Sequence, residues 1–330
     1  MNKVASFALA VAAVFLLYSD SGAADKVHQL KWGHVAASTH PYHMAAEKVA
    51  REVREKTGGA VEITIYPSNQ LGSQREMTES VQTGVIDIVI TSSPILSGYV
   101  KRIQVLDLPF LFRDRDHVYA VLDSPVRDDI FAGIDDMIGP IAAVWENGFR
   151  SLLNRRNAVH KPEDMAGMKI RVMESKAYIR MMECLGAKAT PMSYGEVYTA
   201  LQQGTVDGTD NPFPSIYTER FYEVAPYVTK SEHGYSCAPV IVSPMLQRKI
   251  GADHYAILMN TIKENTAWER ETAIKEEAMY AGKLKDQNID VVVLTPEEKE
   301  AFRAKVKPVW DEFAPVVGQA LIDTIAATGK

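Results

Sequence analysis

Two arginines stand where a guanidinium could do chemistry. In Lys169-Ile170-Arg171-Val172-Met173, Ile170 and Val172 point to one face of an expected strand and Arg171 to the other. Glu174-Ser175 opens a loop directly afterwards, so Arg171 falls near the carboxyl end of its strand. Open α/β sheets bind ligands at that end. A guanidinium there can hold a carboxylate through two parallel hydrogen bonds, which a lysine cannot do. The same pattern also fits an arginine paired to a protein carboxylate or reaching solvent. Arg150 follows the apolar run Ile141-Ala142-Ala143-Val144 and then Trp145-Glu146-Asn147-Gly148-Phe149. It reads either as a second arginine converging on one acid or as a surface residue. Asn211 ends the polar cluster Asp207-Gly208-Thr209-Asp210-Asn211 before Pro212. Such residues commonly just make turns, yet Asn211 can donate to a carboxylate or accept from a hydroxyl. Tyr194 precedes a helix expected near Glu196, where its ring would wall a cleft or pack in a core.

Catalytic and cofactor signatures are missing from the sequence: there is no G-x-G-x-x-G, Walker A, G-x-S-x-G or H-E-x-x-H. No cofactor is expected, and the reading is of a binding protein rather than an enzyme. A net charge of −6 argues against a nucleic-acid partner, which would need a basic face. His40 and His43 are separated by Pro41, so a turn near a ligand or plain surface explains them better than a metal site. Cys184 and Cys237 lie far apart in sequence; they could pair in an oxidising compartment, and two buried free thiols are the plainer reading.

The elements that would position these residues alternate between strand and helix. Lys3, the uncharged run Phe7 to Tyr18 and the small residues Ser21-Gly22-Ala23-Ala24 have the order of a secretory signal peptide over residues 1–24. Its apolar run is shorter than the roughly 20 residues a membrane span needs. Leu30 to Gly33 reads as a strand and Thr39-His40-Pro41-Tyr42-His43 as a turn. A helix follows through Ala46, Val49, Ala50 and Val53, ended by Gly58-Gly59. Val61, Ile63 and Ile65 alternate as a strand, Arg75 to Thr83 as a helix, and Ile86 to Ile90 as a strand buried on both faces. The pattern recurs with a strand from Lys169 to Met173, a helix from Ala177 to Leu185, and another from Glu196 to Gln203 capped by Gly204. Alternation of this kind predicts an α/β fold, and its recurrence favours two lobes. Residues 252–281 contain no proline or glycine and predict one helix of about 45 Å, long enough to lie along both lobes.

At these residues the sequence resembles the extracytoplasmic solute receptors of tripartite ATP-independent periplasmic (TRAP) transporters. The resemblance covers essentially the whole mature chain. It is carried by Tyr66-Pro67-Ser68-Asn69-Gln70-Leu71-Gly72, Asp107-Leu108-Pro109-Phe110-Leu111-Phe112 and Gly167-Met168-Lys169-Ile170-Arg171-Val172. It continues through Gly195-Glu196-Val197-Tyr198-Thr199-Ala200-Leu201-Gln202-Gln203-Gly204 and Val206-Asp207-Gly208-Thr209-Asp210-Asn211-Pro212. The resemblance implies a two-lobed α/β fold of the type II periplasmic-binding-protein kind, with hinge-crossing strands and a long helix spanning both lobes. Lobe I would comprise 25–147 with 237–276, and lobe II 148–236 with 277–330. It further implies no cofactor, a periplasmic monomer, a small organic acid as ligand and the membrane subunits of a TRAP transporter as partner.

In that family Arg171 would clamp the ligand carboxylate, Arg150 would be a second arginine after an asparagine-glycine turn, Asn211 a polar contact and Tyr194 the aromatic wall. Gln74 and Ser92 replace acidic residues of the sialic-acid receptors, which argues against sialic acid. Tyr194-Gly195-Glu196-Val197-Tyr198 and Ser231-Glu232-His233 look most like uronate-binding members. Gln74, Ser92, Ser175 and His34 would then contact hydroxyls. The alternatives are a receptor for a C4-dicarboxylate or 2-oxo acid, the binding protein of an ATP-driven importer, and an exported enzyme acting on sugar acids.

Overall fold

The chain changes sheets at Arg150. The computed structural model describes residues 27–329 apart from 288 and 290, so the signal-peptide reading falls outside the described residues. No helix among the described residues is long and apolar enough to cross a membrane. The strands are β1 (His28–Gly33), β2 (Val61–Tyr66), β3 (Ile88–Ile90), β4 (Ile141–Phe149), β5 (Ser151–Asn154) and β6 (Lys169–Val172). They continue with β7 (Lys188–Pro191), β8 (Gly208–Asn211), β9 (Tyr227–Lys230), β10 (Tyr235–Val242) and β11 (Val291–Val293). One sheet of five strands has the order β2-β1-β3-β10-β4, and a second of six has the order β11-β9-β5-β8-β6-β7.

Strand β4 belongs to the first sheet and β5 to the second, with only Arg150 between them. The return crossing runs from β9 of the second sheet through residues 231–234 to β10 of the first. The backbone N–H of Arg150 donates to the Gly234 carbonyl at 2.9 Å, so the two crossings are tied together. Fully buried strands fill the middle of each sheet. All residues of β3, β5 and β10 are buried, and Trp32 packs on Trp145 with ring centroids 5.8 Å apart.

Several sequence expectations need correction. Pro41 does not sit in a turn: it occupies the first turn of the helix Pro41–Lys56, where its missing N–H costs nothing, and His40 is the N-cap. The asparagine-glycine pair of 147–148 is a bulge inside β4, because Gly148 pairs with Ser236 and Glu146 with Cys237, leaving Asn147 as the extra residue. Gly148 has φ 118°, which a side chain would strain.

The stretch 252–281 is two helices, Ala252–Glu264 and Thr266–Asp286, interrupted at Asn265. The Asn265 amide donates to the Thr261 carbonyl at 2.9 Å and to Glu52 Oε2 at 2.7 Å, so it competes with the helix ladder from within. The second helix still touches both bodies. Its Glu269 Oε2 accepts the Glu146 N–H of β4 at 2.8 Å, and its Tyr280 stacks on Tyr217 at 4.7 Å beyond β8. Both cysteines are free, but only Cys237 is buried; Cys184 is half-buried.

Residues 208–211 form a strand, not a turn. Strand β8 lies between β5 and β6, with all four residues buried. An added Cβ at Gly208 would meet the Leu153 carbonyl oxygen at 2.4 Å, a backbone atom that cannot move aside. Gly208→Ala is therefore expected to cost about 1–3 kcal/mol through overpacking, read as a lower thermal midpoint. An unchanged midpoint would show that β8 can shift away from β5.

Candidate functional site

Between the two sheets lies a cleft lined by residues from both sides. The first sheet side contributes Gln74, Thr91, Ser92 and Asn147; the second contributes Arg150, Arg171, Tyr194, Asn211 and Ser215. Six of the expected site residues thus come together, from strands and loops far apart in sequence.

Arg171 sits in β6 opposite Thr209 of β8 and Thr190 of β7. Its Nε and Nη2 both donate to the Met192 carbonyl, at 3.0 and 2.8 Å. These bonds fix the plane of the guanidinium and leave Nη1 buried with no partner among the described residues. Burial, followed by the neighbouring Arg150, lowers its pKa to about 10, so it remains a cation at neutral pH. A buried donor without an acceptor costs free energy, and an anion in the cleft would remove that cost.

Arg150 lines the same cleft but is already engaged. Its Nε donates to Asp210 Oδ2 at 2.6 Å, Nη2 donates to the Asp210 carbonyl, and Nη1 donates to Ser236 Oγ at 3.4 Å. Its guanidinium also lies 5.5 Å from the centroid of the Tyr178 ring. Both members of the ion pair are essentially inaccessible, with side chains 1% and 0% exposed. Burial would raise the Asp210 pKa, but Arg150 and His233 outweigh it and hold the carboxyl well below the ordinary range. His233 Nε2 lies 3.2 Å from Asp210 Oδ2, and its Nδ1 lies 2.7 Å from Ser231 Oγ. Hence the surface-arginine reading of Arg150 is wrong, and its charge is balanced inside the protein.

Gln74 opens the helix Gln74–Gln82, which starts with a capping box between Ser73 and Glu76. Its Oε1 accepts from the Ser92 backbone at 2.9 Å and from Ser92 Oγ at 2.7 Å. The Gln74 amide nitrogen makes no hydrogen bond among the described residues and so offers the cleft a donor. Asn211 donates to Thr209 Oγ1 at 3.3 Å, which leaves its carbonyl oxygen toward other partners. The Tyr194 ring packs edge-on against Phe221 at 5.9 Å, and its hydroxyl is buried without a partner of good geometry.

Two expected contacts fall outside the lining. Ser175 points away from the cleft: its Oγ donates to Asp107 Oδ2 at 2.7 Å, where burial pushes the Asp107 carboxyl up to about 7. His34 lies behind the cleft, its Nε2 3.2 Å from His43 Nδ1. Burial, then His43 and His40, lowers its pKa to about 3, so it is neutral. Conversely, Asn147, Thr91, Ser215, Arg75 and Glu174 line the cleft although no sequence signal singled them out. Proximity to Gln74, Ser92 and Arg150 is the only hint for most of them, and Ser215 carries none.

Comparison with known proteins agrees in extent as well as in fold. The family model described as "Bacterial extracellular solute-binding protein, family 7" matches residues 32–315. A TRAP periplasmic solute-binding protein from Sulfurospirillum deleyianum with bound succinate is 31% identical, with TM-score 0.89 over 92% of this chain and 99% of its own. The sugar acid binding protein of Advenella mimigardefordensis, in complex with galactonate, is 28% identical, with TM-score 0.88 over 91% and 97%. A TRAP periplasmic solute-binding protein from Xanthobacter autotrophicus, with bound β-D-galacturonate, is 31% identical, with TM-score 0.85 over 91% and 100%. With the family model spanning both sheets and both crossings, the chain belongs to the family 7 extracellular solute-binding proteins, the extracytoplasmic receptors that collect small acids for the membrane subunits of TRAP transporters.

Proposed function

We propose that this receptor binds a sugar acid, a uronate or a close relative, with its carboxylate on Arg171 and its hydroxyls on the polar groups of the cleft wall. The orphaned Nη1 of Arg171 carries this reading, because it is a buried cationic donor already aimed by two bonds to Met192. Arg150 adds a second positive edge to the same end, although Asp210 takes most of its donors. The Gln74 amide, Ser92, Asn211 and the Tyr194 hydroxyl then offer the mixed donors and acceptors that a polyol chain needs. Galactonate and galacturonate in related receptors support a sugar acid. Succinate in another keeps a C4-dicarboxylate as the second reading.

The capture mechanism follows from the crossings. The two lobes, each built on one of the sheets, rotate about the β4–β5 and β9–β10 connections and close on the ligand. Cross-cleft bonds such as Ala37 N–H to Glu219 Oε1 at 2.9 Å would hold the closed form. The ligand shifts the equilibrium by its differential affinity for that form.

The test is thermal unfolding of the purified mature protein with uronates, aldonates, C4-dicarboxylates, 2-oxo acids and sialic acid. A sugar acid at 100 times its dissociation constant is expected to stabilise the protein by about 2.7 kcal/mol. A shift confined to dicarboxylates or 2-oxo acids would overturn the sugar-acid assignment.

A further inference from the structure

The charges lining the cleft do not all face the ligand on equal terms. Three are cations, Arg75, Arg150 and Arg171, and one is an anion, Glu174. Arg75 Nε donates to Glu174 Oε2 at 2.6 Å, so these two neutralise each other across the cleft mouth. Arg75 belongs to the helix Gln74–Gln82 beside the first sheet, and Glu174 follows β6 of the second. Arg150 is neutralised from behind by Asp210. Three guanidiniums against the two carboxylates of Glu174 and Asp210 leave one positive charge, and it resides on Arg171. His34 and His40 add none, because burial lowers both to a pKa of about 3. Asp107 and Glu219, outside the lining, can only reduce the balance.

We propose that Glu174, by masking Arg75, makes this receptor selective for acids carrying a single negative charge over dianions of the same skeleton. The inference rests on the reading of the cleft as the acid site and narrows its ligand class. A second carboxylate entering such a cleft would find no unmatched cation beyond Arg171 and would meet the Glu174 carboxylate that lines it. Like charge placed in a partly desolvated site is repelled more strongly than in bulk water. The Arg75–Glu174 pair is 39% and 35% exposed, so solvent screens it and the effect is moderate.

Calorimetric titration of the mature protein with galactonate and galactarate tests this, because the two share an open six-carbon chain and differ in the second carboxylate. The wild-type protein is expected to bind galactonate about tenfold or more tightly than galactarate, equivalent to about 1.4 kcal/mol. Glu174→Gln unmasks Arg75 and is expected to shrink that ratio mainly by a gain in galactarate affinity. Adding Arg75→Gln to Glu174→Gln restores the net charge and is expected to return the wild-type ratio.

Equal affinity for the two acids in the wild-type protein would overturn the inference and leave the sugar-acid receptor standing. The inference also falls if Glu174→Gln weakens both acids alike with no change in ratio, which would make Glu174 a clasp between the lobes and nothing more. Binding of succinate without either sugar acid, or of none of them, would overturn both readings.

Discussion

Arg171→Ala weakens the dissociation constant of the preferred acid by about two to three and a half orders of magnitude, the expected cost of leaving a carboxylate buried without its cation, about 3–5 kcal/mol. The ligand-free protein should lose little stability by the same change. Removing the side chain deletes two bonds to the Met192 carbonyl, but it also removes a fully buried cation with an unsatisfied Nη1. Arg171→Lys should recover only part of the affinity, since an ammonium cannot present two parallel donors. Calorimetry gives the affinity and a ligand-free melt gives the stability. Full affinity in Arg171→Ala would remove Arg171 from the binding site. A large loss of ligand-free stability would recast it as a framework residue.

Asp210→Ala is the substitution expected to damage the framework most. It leaves Arg150 buried with no counter-charge, and His233 loses its contact at the same carboxylate oxygen. Breaking a buried pair in this way costs about 3–5 kcal/mol, which for a chain of this size lowers the thermal midpoint by roughly 5–8 °C. Asp210→Asn should cost less, because an amide oxygen still accepts from Arg150. Equal midpoints for Asp210→Ala and wild type would mean that Arg150 finds another partner or water. Arg150 would then be more available to a ligand than its present bonds allow.

The legibility of this protein in its sequence divides along physical lines. Alternating apolar residues marked β2, glycines marked helix ends, and the strand position of Arg171 followed from period and burial alone. Strand β8 was illegible because its stabilising partners are distant: Asp210 is buried through Arg150, sixty residues away, and through His233. A local window shows only Asp, Gly, Thr and Asn, which is the composition of a turn. The break at Asn265 escaped for a related reason, since Glu52 lies more than two hundred residues distant. Within the site, Arg171, Arg150, Gln74, Ser92, Asn211 and Tyr194 were within reach of motif reading. Ser175 and His34 were misplaced because side-chain direction at a helix start or after a strand end depends on what packs there, here Asp107 and His43. Asn147 was missed because a bulge leaves no trace until its partner strand is known.

That bulge has an evolutionary consequence. Asn147 lines the cleft and is also the extra residue of β4, a few residues from the point where the chain passes between sheets. Its amide donates to Ser236 Oγ at 2.7 Å in β10, just past the return crossing, so one side chain ties together the two strands beside the connections and also lines the cleft. Substitutions there cannot retune which acid is held without also retuning how readily the protein lets go. Lineages of this receptor that change diet through residue 147 should change unloading speed with it. Those that keep delivery to the transporter constant should diversify instead at Gln74, Ser92 and Tyr194, which lie away from the crossings.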